Sequence, residues 1–297
     1  MNERIRVTRS SRAGLLRAIG HQWAAVLQTW LPATCIVCGN ADASALCTDC
    51  GRTLPGSAVP RCPRCGSVCA SVVEDPVPAS GMAAGGQGVC LACRLSPPAF
   101  ERSIILADYA PPLDRVVQAL KFGRDASLAA PLGRALAQRV LASLAEHPVH
   151  ADGPLLVTAI PLTHRRLAER GFNQSLELAR AMVRFMTRAA GPSARPALRL
   201  DHRLLARTRD SAPASTLHAD ERRRALQDGF RSDRALTGTT VLLVDDVMTT
   251  GATLESAGRT LLGAGARSVI NCVVARTRAP HSDAPGRSRP LASPIRS

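Results

Sequence analysis

With 297 residues and 45% hydrophobic content, the chain can bury one sizeable core and still build a smaller module. Aromatic residues are only 3% of it, so the core has to be aliphatic, and a surface that binds single strands by base stacking has few rings to draw on. The formal net charge of +15 favours anionic partners, either phosphorylated metabolites or nucleic acid. Part of that excess lies in the two ends, in Arg4, Arg6, Arg9, Arg12 and Arg17 and again in Arg276, Arg278, Arg287, Arg289 and Arg296, where basic segments are usually solvated.

Residues 1–30 form a basic segment. Within it "AGLLRAIGHQWAAVLQTW" has the pattern of an amphipathic helix, and Arg17, His21 and Gln22 interrupt the apolar run too early for a secretory signal or a membrane span. A cytoplasmic protein is expected, and Pro-Ala-Thr before Cys35 is a poor match to a lipidation site.

Nine of the ten cysteines lie between Cys35 and Cys93, inside a module over residues 31–97 that is otherwise rich in Gly, Pro, Ala and Ser. Eight of them form CxxC pairs: Cys35/Cys38, Cys47/Cys50, Cys62/Cys65 and Cys90/Cys93. Two thiolates three residues apart on a tight turn share one tetrahedral Zn²⁺, and Gly39 and Gly66 follow the first and third pairs where such a turn closes. Four pairs allow two structural zinc ribbons, first pair with second and third with fourth, with a cross-braced arrangement as the alternative. Disulfides are the competing reading, disfavoured in a chain without an export signal. Cys69 is left over, Cys272 reads as a small core residue, and residues 71–88 look like an insertion within the module.

From Ser103 the pattern changes to strands alternating with helices: strand "SIILADY", helices "LDRVVQALKFG" and "LAAPLGRALAQRVLASLAEH", strand "LLVTAI", helix "NQSLELARAMVRFM", a strand near "ALRLDHRLL", strand "VLLV", a helix from Leu254 to Leu262 capped by Gly263 and Gly265, and strand "SVINCVVA". That alternation predicts an α/β domain over residues 100–278 with a mostly parallel, doubly wound sheet. Residues 279–297 revert to a Pro, Ser and Arg tail.

The chemistry concentrates after "VLLV". Asp245 and Asp246 stand at the carboxyl end of a buried strand, and Thr249, Thr250, Gly251, Ala252 and Thr253 lead into a helix. Small hydroxyl residues, backbone amides and the positive end of a helix dipole cradle a phosphate, and ligands bind open α/β sheets at the carboxyl ends of the strands. The adjacent carboxylates accept hydrogen bonds from sugar hydroxyls, so the combination fits a phosphoribosyl group. Gly251 has to let the backbone approach the phosphate closely. Thr163, His164, Arg165 and Arg166 leave another strand's carboxyl end, where guanidinium groups suit a diphosphate.

"VLLVDDVMTTGATL" resembles the 5-phosphoribosyl-1-pyrophosphate (PRPP) signature of type I phosphoribosyltransferases. With the CxxC pairs, "ALKFGRD", "IPLTHRRLAERGFNQSLELA" and "DERRRALQDGF", the chain is identified as a member of the ComF family, associated with competence and DNA uptake; the resemblance covers roughly residues 31–278. It implies Mg²⁺-dependent displacement of pyrophosphate from PRPP by an unidentified nitrogen acceptor, by way of an oxocarbenium-like transition state. Asp245, Asp246, Arg165 and Arg207 carry that chemistry, with Thr249, Thr250, Gly251, Ala252, Thr253, Arg170 and Asn173 completing the PRPP site. Residues 206–226 correspond to a mobile flap in which Ser211, Ala214 and Ala225 replace the Thr, Gln and Asn of many relatives. Those departures favour a non-catalytic PRPP or nucleotide sensor as the alternative to a transferase. A zinc-ribbon adaptor for single-stranded DNA or the uptake machinery is the third reading.

Overall fold

The computed structural model describes residues 33–42, 46–53, 60–68, 88–123, 125–149, 155–190, 198–208 and 229–278. Expectations placed on residues 1–30, on the insertion after Val68, on Cys69, on residues 209–228 and on the tail lie outside these. The chain forms two compact units, Met1–Thr53 and Leu54–Ser297. In the first, β1 (Ala33–Thr34) and β2 (Ala41–Asp42) pair antiparallel around the first CxxC turn, and α1 (Thr48–Thr53) carries the end of the second pair.

The second unit is built on a five-stranded, all-parallel sheet. It comprises β3 (Arg102–Asp108), β4 (Leu155–Ala159), β5 (Arg199–Leu200), β8 (Thr240–Met248) and β9 (Ser268–Arg276), in the order β3-β9-β8-β4-β5. The helices of this unit are α2 (Leu91–Leu95), α3 (Leu113–Phe122), α4 (Ala129–Glu146), α5 (His164–Arg170), α6 (Gln174–Ala189) and α7 (Ala252–Gly263). A short ribbon, β6 (Ala206–Arg207) against β7 (Phe230–Arg231), stands at the base of the segment expected to be the flap.

The two faces of the sheet are both covered, which explains why the central strands carry runs such as Val241–Val244 that are apolar on successive residues. Val241, Leu243, Val269, Val273 and Ile105 pack with Leu254, Ala257 and Leu261 of α7. The alternate residues Leu242, Val244, Ile270, Cys272 and Val274 are also fully buried, as strand alternation requires of a two-sided core. Cys272 is thus the core residue expected, its thiol pushed up to about 12 by burial. On that second side α4 and α6 lie close together. A Cβ on Gly133 of α4 would stand 2.5 Å from Ala181 Cβ and 2.9 Å from Leu178 O of α6, so only glycine allows this approach. The core is aliphatic apart from Phe100 and Phe230 among the described residues.

Two elements differ from expectation. The strand near "ALRLDHRLL" shrinks to Arg199–Leu200 at the sheet edge; Leu204 and Leu205 beyond it turn inward to the core instead of pairing. β8 runs the other way, continuing through the acidic pair to Met248. The cause is β9, which keeps pairing with it at Asp245–Val273, Val247–Ala275 and Met248–Arg276.

Candidate functional site

β4 pairs with β8 only as far as Ala159 opposite Val244, and Ile160 N donates to Val244 O at 3.0 Å. β8 therefore overhangs β4 by the four residues Asp245, Asp246, Val247 and Met248. From β8 the chain crosses by α7 to β9, and from β4 it crosses by α6 to β5 on the opposite side, so the sheet's winding reverses between β4 and β8. Crevices that bind ligands form at such reversals, outside the carboxyl ends of the strands.

The two carboxylates at this crevice take different partners. Asp245 Oδ1 accepts from Ser175 Oγ at 2.9 Å and from the backbone N–H of Asp246 at 2.9 Å. Asp246 is 7% exposed and its Oδ2 lies 3.3 Å from Lys121 Nζ at the end of α3, yet that oxygen has no well-aligned hydrogen-bond donor. One ammonium faces two carboxylates. Burial and the neighbouring Asp246 charge push Asp245 up to about 7, with Ser175 and Lys121 acting in the other direction. A site with this surplus of negative charge suits hydroxyl donors or a cation.

Beyond Met248 the loop bends at Gly251, with φ of +85°, before α7 begins. The left-handed backbone favours glycine there, and a Cβ would displace Met248 Cε, which lies 2.6 Å from its position. Thr249 and Thr250 are exposed, and Ala252 N donates to Thr250 Oγ1 at 3.3 Å. Gly251 at the N-cap has no side chain to cap α7, and of its first-turn amides Ala252 N is held by Thr250 Oγ1, at the crevice end of the sheet.

The segment after β4, where Thr163 to Arg166 were expected to offer guanidinium groups to a diphosphate, closes into a short helix. Thr163 Oγ1 caps α5 by accepting from Arg166 N, and Gly171, with φ of +81°, ends it. His164 and Arg165 are consequently exposed on this helix, and Arg165 pairs with Glu169 one turn on, at 2.8 Å. Its side chain is 79% exposed. Arg170 donates to Gln174 Oε1 at 3.0 Å and lies over the exposed ring of Phe122. Asn173 ties the start of α6 to β4, its Nδ2 donating to Ile160 O at 3.0 Å while its Oδ1 accepts from Leu176 N. Phe172 is half-buried, and Gln174 and Ser175 are the buried residues of "RGFNQS". Arg207 of β6 reaches across to Pro161 O at 2.8 Å and stacks over Phe230. The structure thus brings Asp245, Asp246, Asn173 and the loop from Thr249 to Thr253 to the ends of β4 and β8, while Arg165 turns to Glu169. Lys121 and Ser175 are site residues that the sequence reading did not single out. Each lay inside a quoted motif, "ALKFGRD" and "RGFNQS", but only the fold shows which carboxylate it meets.

Eight of the nine described cysteines form two clusters, Cys35/Cys38/Cys47/Cys50 and Cys62/Cys65/Cys90/Cys93, in each of which the sulfurs lie within 4.8 Å of one another. First pair joins second and third joins fourth; the cross-braced alternative is excluded, and one cluster falls in each compact unit. The Cys38–Cys47 and Cys65–Cys90 sulfurs are 3.9 and 3.7 Å apart, against the edge of about 3.8 Å that a tetrahedron with Zn–S bonds of about 2.3 Å requires. Backbone N–H groups of Cys47 and Cys90 donate to the sulfurs of Cys35 and Cys62 at 3.4 Å each, as they do to metal-bound thiolates. Donor chemistry and spacing both fit zinc.

An open parallel sheet with a reversal at this crevice, an acidic pair and a Gly-bent phosphate-type loop define a phosphoribosyltransferase-like protein, and residues 204–287 match the family described as "Phosphoribosyl transferase domain". The chain is 34% identical over 215 residues to the "DNA utilization protein YhgH" of Salmonella typhi, covering 71% of this chain and 89% of that one. It is 26% identical to "Competence protein F" of Haemophilus influenzae, over 79% of this chain and 93% of the other. The chain belongs to the ComF family. Among solved structures it aligns with HGPRT-ase from Leishmania tarentolae in complex with GMP at 13% identity and a TM-score of 0.30, over 51% of this chain and 67% of that one, a likeness too distant to carry an argument.

Proposed function

We propose that this chain binds PRPP with Mg²⁺ at the carboxyl ends of β4 and β8 and transfers the phosphoribosyl group to a nitrogen acceptor. The overhang of β8 carries the reading: it sets two carboxylates, Asp245 half-buried and Asp246 buried, beside the start of α7 at a reversal of the sheet. Thr249, Thr250, Gly251, Ala252 and Thr253 take the 5′-phosphate through amides and hydroxyls. Asp245 and Asp246 accept from the ribose hydroxyls. Mg²⁺, where bound, neutralises diphosphate charge, and the surplus carboxylate at Asp245 and Asp246 is what would hold its shell of water and hydroxyls. Arg207 and Arg165 supply positive charge on the opposite rim, Arg165 after exchanging Glu169 for diphosphate, while Arg170 and Asn173 fix the shape of the loop between β4 and α6. Lys121 holds Asp246 in place. Charge developing at the sugar is met by positioned groups rather than by a covalent residue.

Zinc in the two cysteine clusters completes this reading. With reduced thiols as ligands the protein works in the cytoplasm, and no helix among the described residues is long and apolar enough to cross a membrane. The names of the YhgH and competence relatives support a role in DNA uptake or use, where the charge of +15 suits nucleic acid as a further partner. Pyrophosphate release from PRPP and Mg²⁺, measured against a panel of bases and amines, tests the transferase. Binding of PRPP with no release for any acceptor would instead support the sensor that Ser211, Ala214 and Ala225 suggest; absence of binding would overturn both.

A further inference from the structure

The second cysteine cluster is fastened to the end of the sheet that carries the site. Gly66, in its turn, has φ of +68°, and a Cβ there would stand 2.3 Å from Ile105 Cγ1 of β3, so the turn lies flat on that strand. Pro63 O accepts from Ser103 N at 3.1 Å. Arg61 bridges Gly66 O and Asp108 at the end of β3, and Arg278 reaches the same carboxylate at 3.0 Å. The pivotal group is Arg276, the last residue of β9, which is 7% exposed. Its guanidinium donates to Cys65 O at 3.2 Å and Ser67 Oγ at 3.0 Å on the cysteine turn, and to Met248 O at 3.0 Å on β8. Thr277 N donates to Met248 O as well, at 3.1 Å.

Met248 is the residue from which the loop Thr249–Thr253 departs, and its Cε lies where a side chain on Gly251 would go. A buried guanidinium with three acceptors is rigid only while all three hold still. Two of them belong to the turn around Cys65, whose shape a tetrathiolate metal would fix.

We propose that Arg276 is a positioning residue through which metal at Cys62/Cys65/Cys90/Cys93 sets the rigidity of the loop Thr249–Thr253. The proposal takes that loop as the phosphate cradle, but its test does not depend on PRPP. Loss of the metal frees the turn, the guanidinium loses two fixed partners, and Met248 and the loop loosen with it. The zinc cluster thereby acts on the phosphate site without touching any ligand there.

The test is hydrogen exchange on the full-length, zinc-loaded chain, read in peptides spanning residues 246–256. Chelation in the wild type should raise exchange there about tenfold, while β4 and α4 keep their protection. Arg276→Gln should show the raised exchange with zinc still bound, and chelation should then add less than about twofold, because the link is already cut. Cys38→Ser, which disables the other cluster, should leave these peptides as in the wild type. An unchanged loop on chelation overturns the proposal, as does an equal chelation effect in Arg276→Gln or the same loosening from Cys38→Ser. Should Arg276→Gln not fold, Ser67→Ala removes one acceptor of the three and is expected to give a two- to threefold rise, roughly, at the same peptides; no rise there counts against the proposal too. PRPP affinity measured in parallel separates the two readings, since loop loosening with no PRPP binding in any form would sink the proposed function and leave the coupling standing.

Discussion

Asp245→Asn is expected to stabilise the ligand-free protein while abolishing tight PRPP binding. An asparagine oxygen can accept from Ser175 Oγ and from Asp246 N as the aspartate does, so the hydrogen bonds survive and only the charge is removed. That charge is unfavourable in the folded chain: burial first, then the Asp246 carboxylate, raise Asp245 from 3.8 to about 7. A group whose folded value is raised contributes stability that is fully present below its unfolded value and is lost as the pH rises through about 7. At roughly 1.4 kcal/mol per unit, the loss between pH 5 and pH 8 is on the order of 3 kcal/mol. Asp245 keeps some contact with solvent at the sheet end, so this is a ceiling. Urea unfolding of wild type and variant at pH 5, 6.5 and 8 reads it directly: the advantage of the variant should grow with pH and level off above 8. An advantage independent of pH, or a variant less stable throughout, would refute the assignment of Asp245 as a strained carboxylate. Calorimetry on the same samples should show the stabilised variant binding PRPP and Mg²⁺ more weakly.

Other outcomes follow from the same geometry. Lys121→Met should destabilise by about 3 kcal/mol, because it leaves the mostly buried Asp246 unpaired, and Asp246→Asn in the same chain should recover most of it in a double-mutant cycle. Gly251→Ala should cost about 1–2 kcal/mol for the left-handed backbone, with a larger proportional loss of PRPP affinity than of stability, read by thermal unfolding beside calorimetry. Protein purified without added metal should carry about two zinc ions by elemental analysis, falling by about one in Cys38→Ser and in Cys65→Ser separately. Ser211→Thr, Ala214→Gln and Ala225→Asn together should raise pyrophosphate release if the flap limits turnover, measured at saturating PRPP.

The parallel sheet was legible because its central strands are buried on both faces and read as mostly apolar runs, Val241–Val244 above all, and the cysteine clusters because a CxxC spacing leaves few geometries. The length of β8 was not. Asp245 and Asp246 resemble the start of a loop, and only the continued pairing to β9 keeps them in the ladder, a tertiary fact that no local pattern encodes. α5 was missed for a related reason: seven residues are too few to show a helical period, and its evidence lies in the caps, Thr163 before it and Gly171 after it. The partners of the acidic pair, Lys121 and Ser175, come from segments far apart in the chain. Arg276 looked like one more basic residue near a basic tail, yet it is among the most buried charges of the described residues.

The placement of charge divides the site into two kinds of residue. The carboxylates and the phosphate loop stand on β8 and the start of α7, both supported by β9 and a fully buried core, so changes there alter stability and binding together. The cationic rim stands on α5, on the segment before α6 and on β6, where Arg165 pairs one turn along its own helix, Arg170 holds Gln174 and lies over Phe122, and Arg207 contacts a carbonyl and a ring among its partners. Arg165 can turn toward a diphosphate without unpacking the core, because what it gives up is one exposed ion pair worth about 1 kcal/mol or less, while Arg170 would give up a hydrogen bond and a ring contact. On the proposed function, the rigid anionic side would receive the sugar and the adjustable cationic side the leaving group, as a phosphoribosyl transfer needs, since the sugar must be held still while charge moves onto the departing pyrophosphate.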